Sequence, residues 1–513
     1  MICTTTDYKS TCQKSLSKAV KSNDPDPKEL VKAAISVIFD AIGAAFNRTQ
    51  QIKTTDAQIS GAMEDCRELF NSSKDELHAS LNTIVDRGVD QIPEQADNIR
   101  TWLSAVMAYQ QTCVDGFPKG ELKAKMEEAM KQAREMTSNA LAIVGDAAKY
   151  LGMLSGDGVI GRRLLEEEEE EAEAEEELPE WVPDGDRRMV KEGKYEVKLK
   201  ANVTVAKDGS GQFKSISAAL ENMPKKYKGR YVIYVKPGVY DETVVVERNM
   251  ENVTIYGDDP AKTIITGTKN FVDGTRTFQT ATFAATFIIF YCKILGRPRI
   301  NYGILSPITI SRSVFLNCNM EGFQDTLYAQ THRQFYRGCV ISGTVDFIFG
   351  DASAVFQNCL LLVRRPLDNQ QNIVTAQGRI DRHENTGFVL HRCKILPDPS
   401  LKPVVKNVRS YLGRPWKENS RIVIMESEIG EVISPEGYTP WEGEFALKTL
   451  SYSEYKNSGA GGEVKGRVKW AGVRVIEKED AELFAAGNFI QAGDWVKKTG
   501  AGVSVPIRLR LYD

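Results

Sequence analysis

The sequence predicts an all-α four-helix bundle followed by a right-handed parallel β-helix, and three observations predict it. Apolar side chains recur at helical spacing through the first part of the chain. A block of glutamates then interrupts it. Beyond that block come short β-rich runs in which an aromatic-then-cysteine pattern returns at intervals of 20 or 21 residues. A chain of 513 residues is also too long for one ordinary core, so two domains or one long solenoid are expected.

The first helix is signalled by Asp26-Pro27, an N-cap and a first-turn proline. Leu30, Ala34, Val37, Ala41 and Ala44 then follow on one face. Further amphipathic runs cover about 56–88, 94–113 and 120–151, and the short breaks between them suit an up-and-down bundle. Cys3 and Cys12 are placed to staple an N-terminal hairpin, and Cys66 and Cys113 to join two helices. The bundle is assigned to residues 1–155.

Residues 156–198 read as a linker. Glu166 to Glu177 is broken only by Ala172 and Ala174, and such a like-charged block repels itself and stays solvated. Two dibasic pairs flank it, one in Arg162-Arg163-Leu164-Leu165 and the other Arg187-Arg188. They are either accidental dipeptides or a protease-cut junction, since exposed flexible segments are where nicking concentrates.

Residues 199–513 form the second domain. Tyr231–Val235 and Val253–Gly257 are typical of its strands. The repeat is carried by Ser313–Cys318, Gln334–Cys339 and Ala354–Cys359, and Phe388–Cys393 echoes it after a longer insertion. One strand set per coil, without the Asn-Gly hairpin turns of a sandwich, is the pattern of a β-solenoid. Its cysteines are expected to stack inside or to pair between adjacent coils.

Composition narrows the function. A net charge of −3 argues against nucleic acid or an anionic membrane as partner. No run is long and apolar enough for a membrane span. None of the nine cysteines forms a CxxC pair, which disfavours a zinc site or a thioredoxin-type motif, and no cofactor is expected. Sequons at Asn47, Asn71, Asn202 and Asn252, with the cysteines, point outside the cell. The N-terminus carries no signal peptide, so the expectation is a secreted protein whose export segment this chain lacks.

With four histidines and no Gly-x-Ser-x-Gly elbow, a Ser-His-Asp hydrolase is disfavoured. The aspartates are better candidates. Gly322-Phe-Gln-Asp325 and Gly343-Thr-Val-Asp346 set two carboxylates 21 residues apart, one coil of the solenoid. Neighbouring rungs would bring them to about 5 Å. Two carboxylates so close cannot both ionise cheaply, so one pKa should rise and the other fall. That suits hydrolysis with one aspartate as nucleophile and the other as proton donor, then base. Arg414, in Leu412-Gly-Arg-Pro-Trp416, supplies a cation for Asp346, and Trp416 a flat face for a sugar ring.

These blocks resemble the signature motifs of plant pectin methylesterases, together with Val205–Phe213 and Tyr231–Glu242. The likeness covers about 200–284 and 311–513. The first domain resembles the inhibitor-like domain of the longer pro-enzymes in its Cys3/Cys12 spacing, Met63–Phe70 and Thr101–Cys113. Arg162–Leu165 resembles the family's processing motif, which implies a subtilisin-type protease as partner. The resemblance implies that Asp346 attacks the C6 methyl ester of homogalacturonan, that Asp325 protonates the leaving methanol and then activates water, and that Gln324 stabilises the oxyanion. It further implies that Arg414 keeps Asp346 ionised, that Trp416, Phe347 and Thr277 line the sugar groove, that no metal takes part, and that the enzyme works in the cell wall.

The interval from Ala285 to Arg312 departs from the family pattern, lacking its Gln-Ala-Val-Ala-Leu block. This motivates a second reading, a pectin-binding protein without turnover. Two further readings are a bundle that inhibits other esterases and a β-helical polysaccharide lyase or polygalacturonase.

Overall fold

A computed structural model describes residues 2–20, 27–86, 92–154, 200–225, 227–247, 249–250, 252–259, 261–269, 280–285, 288–291, 293–296, 309–496 and 508–512. The linker 156–198 with both dibasic pairs, Thr277, Cys292 and most of 285–312 lie outside these residues. The chain divides into two compact units, one holding the helices before residue 155 and one the strands after residue 200.

In the helical unit α1 spans Lys9–Ala19, α2 Pro27–Gln50, α3 Ala57–Asp86, α4 Ile92–Asp115 and α5 Glu121–Leu154. The four long helices fall on the expected runs, and α2 starts at the expected proline. They close a ring, with α3 on α2 and α4, and α5 on α4 and α2. The extra helix α1 has only Cys12 and Leu16 buried, too little apolar periodicity to announce itself. A Cys3–Cys12 disulfide ties it to the N-terminal turn, and Cys66–Cys113 joins α3 to α4.

The strand unit is a parallel β-helix. Its sheets hold eleven, eight, four and two strands among the described residues, and every strand pair is parallel. The aromatic-then-cysteine repeat is the corner between the two largest sheets. Just before each cysteine sits a residue with left-handed backbone: Asn317 (φ 50), Gly338 (φ 61), Asn358 (φ 53) and Arg392 (φ 55). Asparagine and glycine are the residues that adopt this conformation at least cost. The corner turns the chain inward, so Phe315, Tyr336 and Phe356 stack face to face, with centroids 4.9 and 4.6 Å apart. Cys318, Cys339, Cys359 and Cys393 form the adjacent buried ladder as free thiols. Of the two arrangements expected for them, stacking is the one observed.

The helix Ile216–Glu221 covers the first coils, its N-terminal amides bound by the Glu242 carboxylate. The outer face of the largest sheet is covered by apolar residues of 476–496, Trp495 among them. Strands Ile288–Tyr291 and Lys293–Gly296 continue the two largest sheets through the divergent interval.

Link length varies from coil to coil on both sides of the four-stranded sheet. The link from Val340–Gly343 to Ile348–Gly350 has four residues, whereas the corresponding links one and two coils later span 364–371 and 398–409. The short link demands a glycine. A Cβ at Gly343 would lie 2.2 Å from Phe347 Cβ and 2.6 Å from both Phe323 O and Thr326 Oγ1. Gly343→Ala should therefore destabilise the strand unit by about 1–3 kcal/mol, as overpacking does. Chemical denaturation of the full chain, followed through the strand unit's tryptophans, checks it.

Candidate active site

Leu327 pairs with Ile348 and Tyr328 with Phe349, an offset of 21. The same offset carries Asp325 onto Asp346, and the Asp325 amide donates to Val345 O at 3.0 Å. Both aspartates occupy left-handed corners, φ 56 and 50, a conformation that Asp tolerates better than most residues. Thr326 Oγ1 ties the first corner down by donating to Phe323 O at 3.1 Å and Ser342 O at 3.0 Å.

Arg414 reaches Asp346 from the end of strand Ser410–Gly413, its amide held by Thr375 O at 3.1 Å. Nε donates to Oδ1 at 2.8 Å and Nη2 to Oδ2 at 2.6 Å, a two-pronged pair. The Trp441 ring stacks on the guanidinium at 4.3 Å and fixes its plane. Trp416 is half-buried, with its ring edge-on to Phe349 at 5.8 Å and Tyr328 at 6.2 Å. Gly378 makes room for it, since a Cβ there would meet the indole at 2.7 Å. Gln324 is half-buried, and its amide makes no hydrogen bond among the described residues. A cleft of about 540 Å³ opens beside the pair, with Val345 and Arg414 in its wall. Asp346 itself is not part of that wall.

Comparison with known proteins agrees with this architecture. A pectinesterase family model matches residues 202–494, and a plant invertase/pectin methylesterase inhibitor model matches residues 1–143. A pectinesterase/pectinesterase inhibitor of Arabidopsis thaliana, number 45, is 45% identical over 521 residues, covering 100% of this chain and 84% of the relative. The chain belongs to the pectinesterase family. Pectinesterase 3 of Phaseolus vulgaris is 39% identical, covering 96% of this chain and 84% of its own. Among solved structures, pectin methylesterase from carrot is 42% identical with a TM-score of 0.58, covering 62% of this chain and 100% of that one. The Aspergillus niger enzyme is 25% identical at a TM-score of 0.51, covering 58% and 97%. These neighbours make the strand unit a right-handed parallel β-helix.

Within the pectinesterase unit the structure joins Asp325, Asp346, Gln324, Arg414 and Trp416 in one place and removes Phe347. The Phe347 side chain is fully buried in the solenoid core, so it does not face the groove. The left-handed corner at Asp346 (φ 50) explains this, since it turns the chain so that the next residue enters the core. The aromatic side chains clustered beside the pair are instead Tyr328, Phe349, Trp416 and Trp441. Tyr328 and Phe349 could have been found from the same 21-residue offset, whereas Trp441 has no periodic signal. Thr277 lies outside the described residues.

The electrostatics also differ from expectation. Burial pushes both carboxyls up, rather than one up and one down. Asp325 rises well above the ordinary carboxylate range, through burial first and the Asp346 charge second, with Arg414 opposing. Asp325 keeps some surface exposed, but its carboxyl is enclosed by protein, so the direction stands. At Asp346 burial is countered by the Arg414 hydrogen bonds and charge, and the rise is smaller. Asp346 therefore ionises first and Asp325 holds its proton longer.

A raised native pKa means that the unfolded chain loses its proton first as pH rises above the ordinary value of 3.8. Asp325 thus costs stability above that pH, and the cost is absent below it. Asp325→Asn should melt higher than wild type at pH 7 and at the same temperature near pH 3, measured by thermal unfolding of the full chain.

Proposed function

We propose that the chain hydrolyses the C6 methyl esters of homogalacturonan, with Asp346 as nucleophile and Asp325 as acid and then base. The observation that carries the reading is the asymmetric pair: two buried carboxylates one coil apart, of which only Asp346 is gripped by an arginine. The charged member can attack while the protonated one donates.

In the first half-reaction an Asp346 oxygen adds to the ester carbonyl carbon. The tetrahedral oxyanion takes a hydrogen bond from the Gln324 amide, left free for it. The C–O bond to methoxide then breaks, the proton passes from Asp325, and methanol leaves an anhydride on Asp346. In the second half, ionised Asp325 takes a proton from water. The hydroxide adds to the same carbon, collapse returns the Asp346 carboxylate and a galacturonic acid, and the acid gives its proton to solvent to leave the carboxylate. Arg414 supplies the positive charge at Asp346 throughout, and Trp416 offers a ring face to the sugar.

Methanol release from highly methylated pectin tests the reading. Asp346→Ala should abolish it, and Gln324→Ala should lower kcat about a hundredfold, the usual cost of one oxyanion donor. A folded wild type that releases no methanol would overturn it.

The same reading divides the chain into an inhibitor-like domain at 1–155, a linker at 156–198 and an esterase at 199–513, secreted to the cell wall. The N-terminal domain restrains the esterase until a subtilisin-type protease cuts at Arg162–Leu165 or at Arg187–Arg188. Cutting the full chain with such a protease should raise methanol release. A rate unchanged after complete cleavage would exclude restraint.

A further inference from the structure

Arg414 is held from two sides, by its hydrogen bonds to Asp346 and by the Trp441 ring stacked on its guanidinium. A ring fixes a cation only as firmly as the ring is itself fixed. Trp441 lies on no repeating strand, so its support has to come from the segment before it.

Residues 434–439 run beside the strand Ser410–Gly413 as an added rung. Ser434 N donates to Ser410 O at 2.8 Å, Leu412 N to Gly437 O at 2.7 Å and Thr439 N to Gly413 O at 3.1 Å. The other side of this rung rests on a buried ion pair. Arg467 Nε donates to Glu454 Oε1 at 2.7 Å and Nη2 to Oε2 at 3.1 Å, with side chains 4% and 5% exposed. The pair holds the rung at two points. Arg467 Nη1 donates to Pro435 O at 3.1 Å, and the Tyr438 hydroxyl donates to Glu454 Oε1 at 3.3 Å. Gly437 (φ 70) permits the approach, since a Cβ there would run into the Arg467 side chain. Tyr438 also packs on Tyr452, with centroids 4.8 Å apart.

Among the described residues Arg467 makes no hydrogen bond or ion pair with Asp325, Asp346 or Arg414. A buried ion pair roughly breaks even against apolar side chains of equal volume, so stability alone does not account for it. Its bonds are directional, and they specify where 435–438 must lie.

We propose that Arg467 and Glu454 are positioning residues, which act through the rung 434–439 and Trp441 to hold Arg414 in the plane of the Asp346 carboxylate. The inference rests on the esterase reading for what Asp346 does, and adds to it what keeps Asp346 ionised. The charged and titratable groups around Asp346 are Arg414, Asp325 and the buried Tyr452. Arg414 is the one that favours its ionised form, so a loosened Arg414 raises the Asp346 pKa.

The test compares full chains of wild type, Arg467→Lys, Trp441→Ala, the double variant and Ile476→Ala. Lysine keeps the charge and loses the two-pronged bond. Ile476 packs on the outer face of the largest sheet, so its variant reports lost stability alone. The first readout is the titration midpoint of Asp346, followed by carbon-13 NMR of carboxyl-labelled aspartates and assigned by the signal lost in Asp346→Asn. The second is kcat and KM for methanol release. Arg467→Lys should raise the midpoint by about half a unit, a roughly threefold change in the ionisation constant. It should lower kcat about tenfold and leave KM unchanged, as misplaced catalytic groups do. Trp441→Ala should raise the midpoint at least as far, and Arg467→Lys should then add nothing. Ile476→Ala should melt lower with its midpoint unmoved. Tyr438→Phe deletes one hydroxyl, should shift the midpoint in the same direction, and replaces the lysine variant if that fails to fold. An unmoved midpoint, an equal shift in Ile476→Ala, or full additivity with Trp441→Ala would each overturn the proposal. Absence of methanol release from folded wild type would instead overturn the esterase reading, while the midpoints still decide the positioning.

Discussion

Register between coils is the constraint on which the rest of the strand unit depends. A parallel ladder fixes which residue of one coil lies above which residue of the next, and a slip of one residue would turn every side chain to the opposite face. Between the two coils that carry the aspartates, the shared offset of 21 holds on two sheets at once, at Leu327–Ile348 and at Asn319–Val340. Both corners of the coil must therefore be of constant length. The left-handed residue before each cysteine sets one corner, and the tight link closed by Gly343 sets the other. Asp325 and Asp346 meet because the aromatic and cysteine ladders behind them are in register.

That placement has an electrostatic consequence. The coils put two carboxyls into low-dielectric surroundings, where each resists ionisation and the Asp346 charge adds to the resistance of Asp325. A solenoid repeats its environment from rung to rung, so the stack alone would leave the two acids nearly equivalent. Arg414, arriving from two coils further on, breaks the symmetry by gripping one of them. Trp441 adds to this, since a stacked guanidinium cannot swing away to share itself with Asp325. The difference between the carboxyl that ionises first and the one that keeps its proton is thus created by a single cation placed on one rung.

Much of this was legible in the sequence because a solenoid writes its geometry as a period. The aromatic-cysteine repeat revealed the coil, and the coil length identified the aspartate pair. Arg414 was legible because an apolar block around Asp346 requires a cation. The direction of the Asp346 shift was not, since a motif shows that a cation is present but not how burial weighs against it. Phe347 was misplaced because nearness along the chain does not show how the left-handed corner at Asp346 turns the next residue into the core. Trp441 escaped because the segment that carries it follows no repeat. Its segment is tied to the strand Ser410–Gly413 by backbone bonds from Leu412 to Gly437 and from Thr439 to Gly413. Helix α1 escaped because a disulfide, rather than an apolar stripe, holds it.

The varying link lengths separate two tasks that a uniform solenoid could not perform together. Chemistry needs atoms held within a fraction of an ångström, and it sits on the four-residue link 344–347, where there is no slack. Recognition of a polymer needs walls, and only the longer links of the next two coils can rise above the stack to form them. Lengthening a link leaves the strands it joins in register, because the corner residues and the ladder behind them are unchanged. Residues on those longer links can therefore differ without moving Asp325 or Asp346.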